Sequence, residues 1–595
     1  MKGRCSPFAL LVVLGSLGRL ICAERLGSRG VDNPSPDDFV RRSGHSVAVI
    51  GDFVYIDGGE VSSRINGSDP STSPYDAVNT TLSLSLKESW TNDTVELRSI
   101  PKTAPLLNNQ IYWTDLTTSS LYAWGGMTNT ELSPTNEIWR FGADGEGGGT
   151  WSQVTQQDYL DFSKLVRSTG AAFTQSRDRG YALGGEATST TDSSIQKQTP
   201  GYALPGLVSY DFRTGQWSNS SSASYGGYGT SLNGRAEYVP YGSNGLLLFL
   251  GGAETPIDAT NETIVQVNWN TVTLFDPTTQ SWYQQSTTGS RPPTMEGACS
   301  VGVQGPNDTY EIFIYGGVSD QIQATSSDVH VLSLPGFVFF KSPSSGAPRS
   351  DHKCVVVGKG KRQFLSVGGV DGEFRNHTSP TTADPWKQGL GIYDMSEMRW
   401  TNSFDPDAED YVSPVVVNEW YAHGGLRNMR WDNDRLRDLF VNGSTVTGDE
   451  GTSADSTTNS IPTSTIVGSA VGGVVGAVAI GAVVLCIIRR RRGQHTERES
   501  TIDDGIPEYR PEPWPKDGRD LQSPMSGFTD GTAVEVSRIW GEEHPAEETE
   551  SRGELPGCEV GKRGSPSPVV IEGTYELPAP VELPRSELPD RKYTS

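Results

Sequence analysis

Short apolar runs that stop on a pair of glycines recur along much of the chain. The clearest is Leu246-Leu247-Leu248-Phe249-Leu250, which ends on Gly251-Gly252. A polar insert follows, then a second run, Val272-Thr273-Leu274-Phe275, the turn Asp276-Pro277-Thr278-Thr279-Gln280, and Trp282. Runs rich in aliphatic, β-branched and aromatic residues, bounded by Gly or Asp-Pro, read as strands. Glycine pairs ending such runs stand at Gly58-Gly59, Gly125-Gly126, Gly184-Gly185, Gly251-Gly252, Gly316-Gly317, Gly368-Gly369 and Gly424-Gly425. Their mean step is about 61 residues, the length of a supersecondary unit rather than of a short solenoid turn. The downstream half recurs too: Tyr210 to Trp217 and Tyr393 to Trp400 keep the spacing of Phe275 to Trp282. In the first, second and fifth copies Trp90, Trp151 and Phe337 stand in the tryptophan's place.

Each part has a physical use. Strands crowded near the axis of a closed ring need residues without a Cβ where backbones approach or turn sharply. The aromatic and the tryptophan bury large areas between neighbouring sheets, which one small sheet cannot supply alone. The pattern resembles the kelch repeat, and the resemblance implies an all-β fold, a β-propeller of four-stranded blades. It covers residues 37–442 and is sharpest in the third, fourth and sixth copies. The doublets imply seven blades, the last completed by an N-terminal strand at Asp38-Phe39-Val40-Arg41. Six blades with a stray doublet is the alternative.

The ends of the chain have a different texture. Lys2 and Arg4 precede the apolar stretch Phe8 to Leu14, and the segment ends at Cys22-Ala23, the order of a cleaved secretory signal over residues 1–23. Residues 24–36 form a polar leader. Residues 443–465 are a Ser/Thr-rich stalk, and 466–488 carry no charge over a length that crosses a bilayer as one helix. Arg489 to Arg492 follow and hold that end in the cytoplasm. Residues 489–595, acidic and proline-rich, read as a disordered cytoplasmic tail. Within it Glu-Leu-Pro recurs at Glu554, Glu576, Glu582 and Glu587, a candidate dock for a cytosolic adaptor. Sequons begin at Asn66, Asn79, Asn92, Asn219, Asn261, Asn307, Asn376 and Asn442, all before the span, with no asparagine after it. That distribution places the propeller on the outer side of a plasma or other secretory-pathway membrane. Gly468, Gly472 and Gly476 fall on one face of the span, where a second copy's helix could pack. As a whole the chain is similar to the kelch-repeat membrane proteins of filamentous fungi.

Charge and chemistry narrow the function. A net charge of −24 leaves no basic face for nucleic acid. Cys299 and Cys354, at matching places in adjacent repeats, are the cysteines of the mature outer region and read as a disulfide. His45 and His352 also match, which points to a structural role inherited from the repeat; His330, His377 and His423 are the others outside. Galactose oxidase, which also has a kelch-type propeller, makes a copper enzyme the rival reading. Its copper takes two tyrosines and two histidines, with one tyrosine linked to a cysteine, and no motif assigns such a set here. Sialidase boxes, nucleophile elbows, zinc motifs and phosphate loops are absent from the sequence. The acidic run Asp405 to Asp410 reads as a solvated loop before it reads as a calcium site. The expectation is therefore a non-catalytic protein without cofactor or metal. It binds an extracellular protein or cell-wall glycan through the long inserts Glu60 to Ala77, Glu186 to Leu204 and Val370 to Gln388. A structural wall or membrane tether is the third reading.

Overall fold

The apolar runs become the second strand of each blade: Phe53–Ser63, Ser120–Trp124, Arg179–Leu183, Leu246–Leu250, Tyr310–Tyr315 and Gln363–Val367. Leu246–Leu250 is buried along its whole length because adjacent blades cover both of its faces, so it is continuously apolar rather than alternating. The computed structural model describes residues 30–70, 76–128, 135–197, 201–257, 264–374 and 381–441. The signal, stalk, span and tail, with Asn261, Asn376, His377 and Asn442, lie outside the described residues.

Each second strand pairs antiparallel between an inner and a third strand, and a fourth closes the sheet; six such sheets form six blades. The inner strands are Phe39–Ile50, Ile111–Asp115, Ala172–Gln175, Arg235–Val239, Cys299–Gln304 and Lys353–Val357. They adjoin in order around an axis, and the sixth adjoins the first. Tyr210, Phe275 and Tyr393 lie directly opposite Trp217, Trp282 and Trp400 on strands three and four. Their rings are 4.6, 4.7 and 5.0 Å apart. Phe141 and Trp151 repeat the arrangement in blade two. These pairs pack on the preceding blade, as Trp400 does on Tyr315 at 4.6 Å.

The glycine doublets make the seams. In blades one to six, the N–H groups of Gly59, Gly126, Gly185, Gly252, Gly317 and Gly369 donate to carbonyls of the next blade's entry segment. The acceptors are Leu107, Ser168, Ser231, Met295, Arg349 and Arg42, at 2.7–3.1 Å. A Cβ on the first glycine of each pair would stand 2.4–3.1 Å from the same oxygen. The Gly369 to Arg42 bond closes the ring.

Seven blades are thus corrected to six. Gly424-Gly425 ends no strand; Val415–Ala422 is a helix, followed by a 3-10 turn and the helix Asp434–Val441. Val417, Trp420 and Tyr421 fall on one helical face against blade five, so β-branched composition lost to 3.6-residue packing. Leu436 and Phe440 of the second helix pack on Tyr241 and Phe337. The N-terminal strand does not complete the last blade: Phe39–Ile50 is the inner strand of blade one, and blade six is complete within its own stretch of chain. Trp90 pairs with Phe404 outside the four strands of blade one. Phe337 sits in a turn at φ 46° rather than on a fourth strand.

Candidate binding face and axial channel

One residue with left-handed backbone stands two positions ahead of five inner strands, Asn109, Gly170, Asn233, Gly297 and Asp351, and Gly44 takes the same place within Phe39–Ile50, all at φ between 50° and 67°. Such conformations are cheap for Gly and tolerated by Asn and Asp, which is the composition found. Asn109, Asn233, Gly297 and Asp351 donate their N–H groups to the carbonyls of Gly44, Gly170, Asn233 and Gly297, at 2.6–3.0 Å. The result is a backbone collar around one mouth of the axis. The repeat reading missed it, although a Gly, Asn or Asp at the matching place of each repeat was there to be seen.

Inside the collar an axial channel of about 800 Å³ runs between the inner strands to the turns at the far mouth. Arg235 and Glu237 of blade four, Ser300 of blade five, Lys353 of blade six and Gln175 of blade three line it. Arg235 and Glu237 are two residues apart on one strand, so both turn to the axis. Ser300 donates its hydroxyl to the Glu237 Oε1 at 2.6 Å, and Arg235 gives its Nε–H to the Ala298 carbonyl. The walls surround these side chains while leaving part of each open to the lumen. Burial raises Glu237 to about 7. Burial, and then Arg235, lowers Lys353 to about 7.

The collar face also carries the inserts. In every blade the residue before the collar residue pairs with the one after the glycine doublet: Ser43 with Glu60, and Asn108, Thr169, Leu232, Glu296 and Ser350 with Met127, Glu186, Ala253, Val318 and Val370. Each insert is therefore anchored at its root. Four rise as hairpins or strand additions, closed by Asp76–Ala77, Tyr202–Ala203, Val265–Gln266 and Ala324–Thr325. Ile65, Ile257, Val265 and Ile322 stand on these inserts and are 46–61% exposed. The residues 71–75, 129–134, 198–200, 258–263 and 375–380 of the inserts lie outside the described residues.

No family model matches the chain. It is 24% identical over 460 residues to a kelch repeat-containing protein of the fungus Arthroderma benhamiae, covering 68% of this chain and 63% of that one. The solved structure of YjhT matches with a TM-score of 0.41 and 14% identity, over 62% of this chain and 98% of that one. The chain is a homologue of this kelch repeat-containing protein and forms a six-bladed β-propeller. It spans 63% of its fungal relative's length.

In this propeller Cys299 and Cys354 are disulfide-bonded across the seam of blades five and six, with Cα atoms 5.6 Å apart. Among the described residues, these sulfurs and His352 form the group of possible metal ligands that lies within 4.8 Å. Both sulfurs are committed to the disulfide, which leaves one imidazole. His352 and His45 take the same place in their repeats: each puts its Cε1 2.7 Å from where a Cβ on Gly316 or Gly368 would lie. The glycine leaves a slot and the ring fills it, a packing role. His45 makes one bond, from Nε2 to the Val367 carbonyl at 3.1 Å. His330 is buried in blade five and His423 is exposed beyond the first C-terminal helix. In the acidic run, Asp405 accepts the Asp407 N–H and Glu409 pairs with Arg362 at 3.3 Å. Of the sequon asparagines, Asn66, Asn219 and Asn307 are exposed. Asn79 and Asn92 instead donate their side-chain amides to the Gly30 and Leu390 carbonyls, at 3.2 and 2.9 Å.

Proposed function

We propose that this kelch-repeat protein is a non-catalytic binding propeller of the cell surface, which takes a protein or glycan partner on its collar face. The observation that carries the reading is the placement of Ile65, Ile257, Val265 and Ile322, exposed aliphatics that all stand on inserts rooted at one mouth of the ring. Water-exposed aliphatic groups gathered on one rigidly anchored face favour association with a partner that covers them. The long inserts around them, rich in Ser, Thr and Asn, supply a polar rim.

The test offers wall polysaccharides and surface proteins in parallel to the immobilised full-length chain and to a variant with all four aliphatics changed to Ser. The variant keeps its thermal transition, because none of the four lies in the core, and loses at least tenfold in partner affinity. Undiminished capture by the variant removes this face from the proposal. Copper-dependent peroxide release from primary alcohols replaces it with the oxidase.

A further inference from the structure

The axial channel holds two cations for which the fold gives no structural use. Among the described residues, neither Arg235 nor Lys353 has a carboxylate within 4.0 Å, and Lys353 makes no hydrogen bond. Arg235 commits only its Nε–H, to Ala298, so its terminal nitrogens are free. The cations buried away from the channel are engaged. Lys102 pairs with Asp57 at 2.5 Å and Arg349 with Asp384 at 3.1 Å. Arg167 donates to the carbonyls of Gly125, Thr135, Glu137 and Thr191. Arg235 and Lys353 instead open to the lumen, where two charges of like sign repel and Asp351 and Glu237 act on them only from a distance. Both line the 800 Å³ channel, and together they line the recess beneath the collar formed by Asn233, Gly297 and Asp351.

We infer that the channel is a binding site for a small molecule bearing a carboxylate, which Arg235 and Lys353 hold between them. Three acidic groups face the same space: Glu237, Asp351 and, at the far mouth, Asp52. Glu237 is occupied by the Ser300 hydroxyl; burial favours the neutral forms of both Glu237 and Lys353, and an incoming carboxylate would draw Lys353 back to its charged form. Asp351 belongs to the collar, above the cations. Lys359 and Lys361 stand at the far mouth with Asp52, so the bore of a strongly acidic chain carries more basic than acidic side chains. Low-dielectric walls focus that field on an incoming anion. Thr174, Gln175 and Ser300 add hydroxyl and amide groups to the wall. They suit the hydroxyls of a sugar acid, and the volume is ample for one.

Calorimetric titration of the full-length chain with D-galacturonate, and with neutral D-galactose as its uncharged counterpart, tests this. Galacturonate binds, galactose does not, and Lys353→Gln or Arg235→Gln each weakens galacturonate at least tenfold. Lys353→Gln breaks no hydrogen bond, so it keeps the test sound where Arg235→Gln disturbs the strand. Equal binding of the two sugars, binding of neither, or galacturonate affinity unchanged in Lys353→Gln overturns the site.

Discussion

Gly184 and Gly215 share a φ of 69° but not their surroundings. A Cβ on Gly184 would lie 2.6 Å from the Ser231 carbonyl oxygen and 2.7 Å from its nitrogen, both on the next blade. A Cβ on Gly215 would meet nothing closer than the Gln157 Cγ, at 3.3 Å. Substitution by Ala therefore separates two costs. Gly215→Ala pays for left-handed backbone alone, roughly 1–2 kcal/mol. Gly184→Ala adds a clash with immovable backbone and pushes apart the Gly185–Ser231 bond, so its loss is larger by at least about 1 kcal/mol. Denaturant unfolding of both variants checks this, and equal losses would show that close approach across the seam contributes nothing. The recurring pair in the sequence is thus the hydrogen-bonded joint between blades. The first glycine clears the space and the second makes the bond.

At the scale of elements, the seams are joined by different means. Between blades one and two, Asp57 takes Lys102 together with the hydroxyls of Tyr112 and Thr81. Between five and six there is the disulfide. Where the first and last blades meet, Asp384 faces Arg349 at 3.1 Å and Arg41 of the first strand at 3.9 Å. The Arg349 guanidinium also lies 3.8 Å over the Trp386 ring. Asp384→Ala takes the carboxylate from two fully buried guanidinium groups, leaves them carbonyl acceptors and the Trp386 ring, and is expected to cost roughly 3–5 kcal/mol. The variant's melting temperature checks it. A loss under about 1 kcal/mol would assign ring closure to the Gly369–Arg42 backbone bond alone. The two C-terminal helices belong to the same scale. They lie against blades four and five, where a valine run suggested a strand, because alternate residues there have no second sheet to bury them.

For the whole molecule, the proposed outer location of the propeller has a structural consequence. Attachment of a glycan needs the asparagine amide to be accessible. Asn66, Asn219 and Asn307 offer theirs to solvent, while Asn79 and Asn92 spend theirs on backbone carbonyls at joints of the fold. Glycopeptide mass spectrometry of the chain from its native membranes is expected to find the first three occupied and the other two bare. An unglycosylated chain would contradict passage through the secretory pathway, and full occupancy at Asn79 and Asn92 would mean modification before folding.

The sequence by itself determined the blade. Apolar runs, the doublet and the aromatic–tryptophan pair are local signals, because each depends on neighbours within one unit: Leu246–Leu250 between its own flanking strands, Tyr210 opposite Trp217. Placing Cys299 and Cys354 at matching points of adjacent repeats worked for the same reason. Only the tertiary structure decided how many units close the ring. Whether Gly424-Gly425 is a seam depends on a next blade's carbonyl being there to accept, and the ring had already closed on Arg42. The collar and the cationic channel were settled at that level too. Arg235 and Lys353 stand on different repeats, and neither residue's surroundings in the sequence show the other. Closure of six inner strands around one axis is what sets their charges in a common lumen.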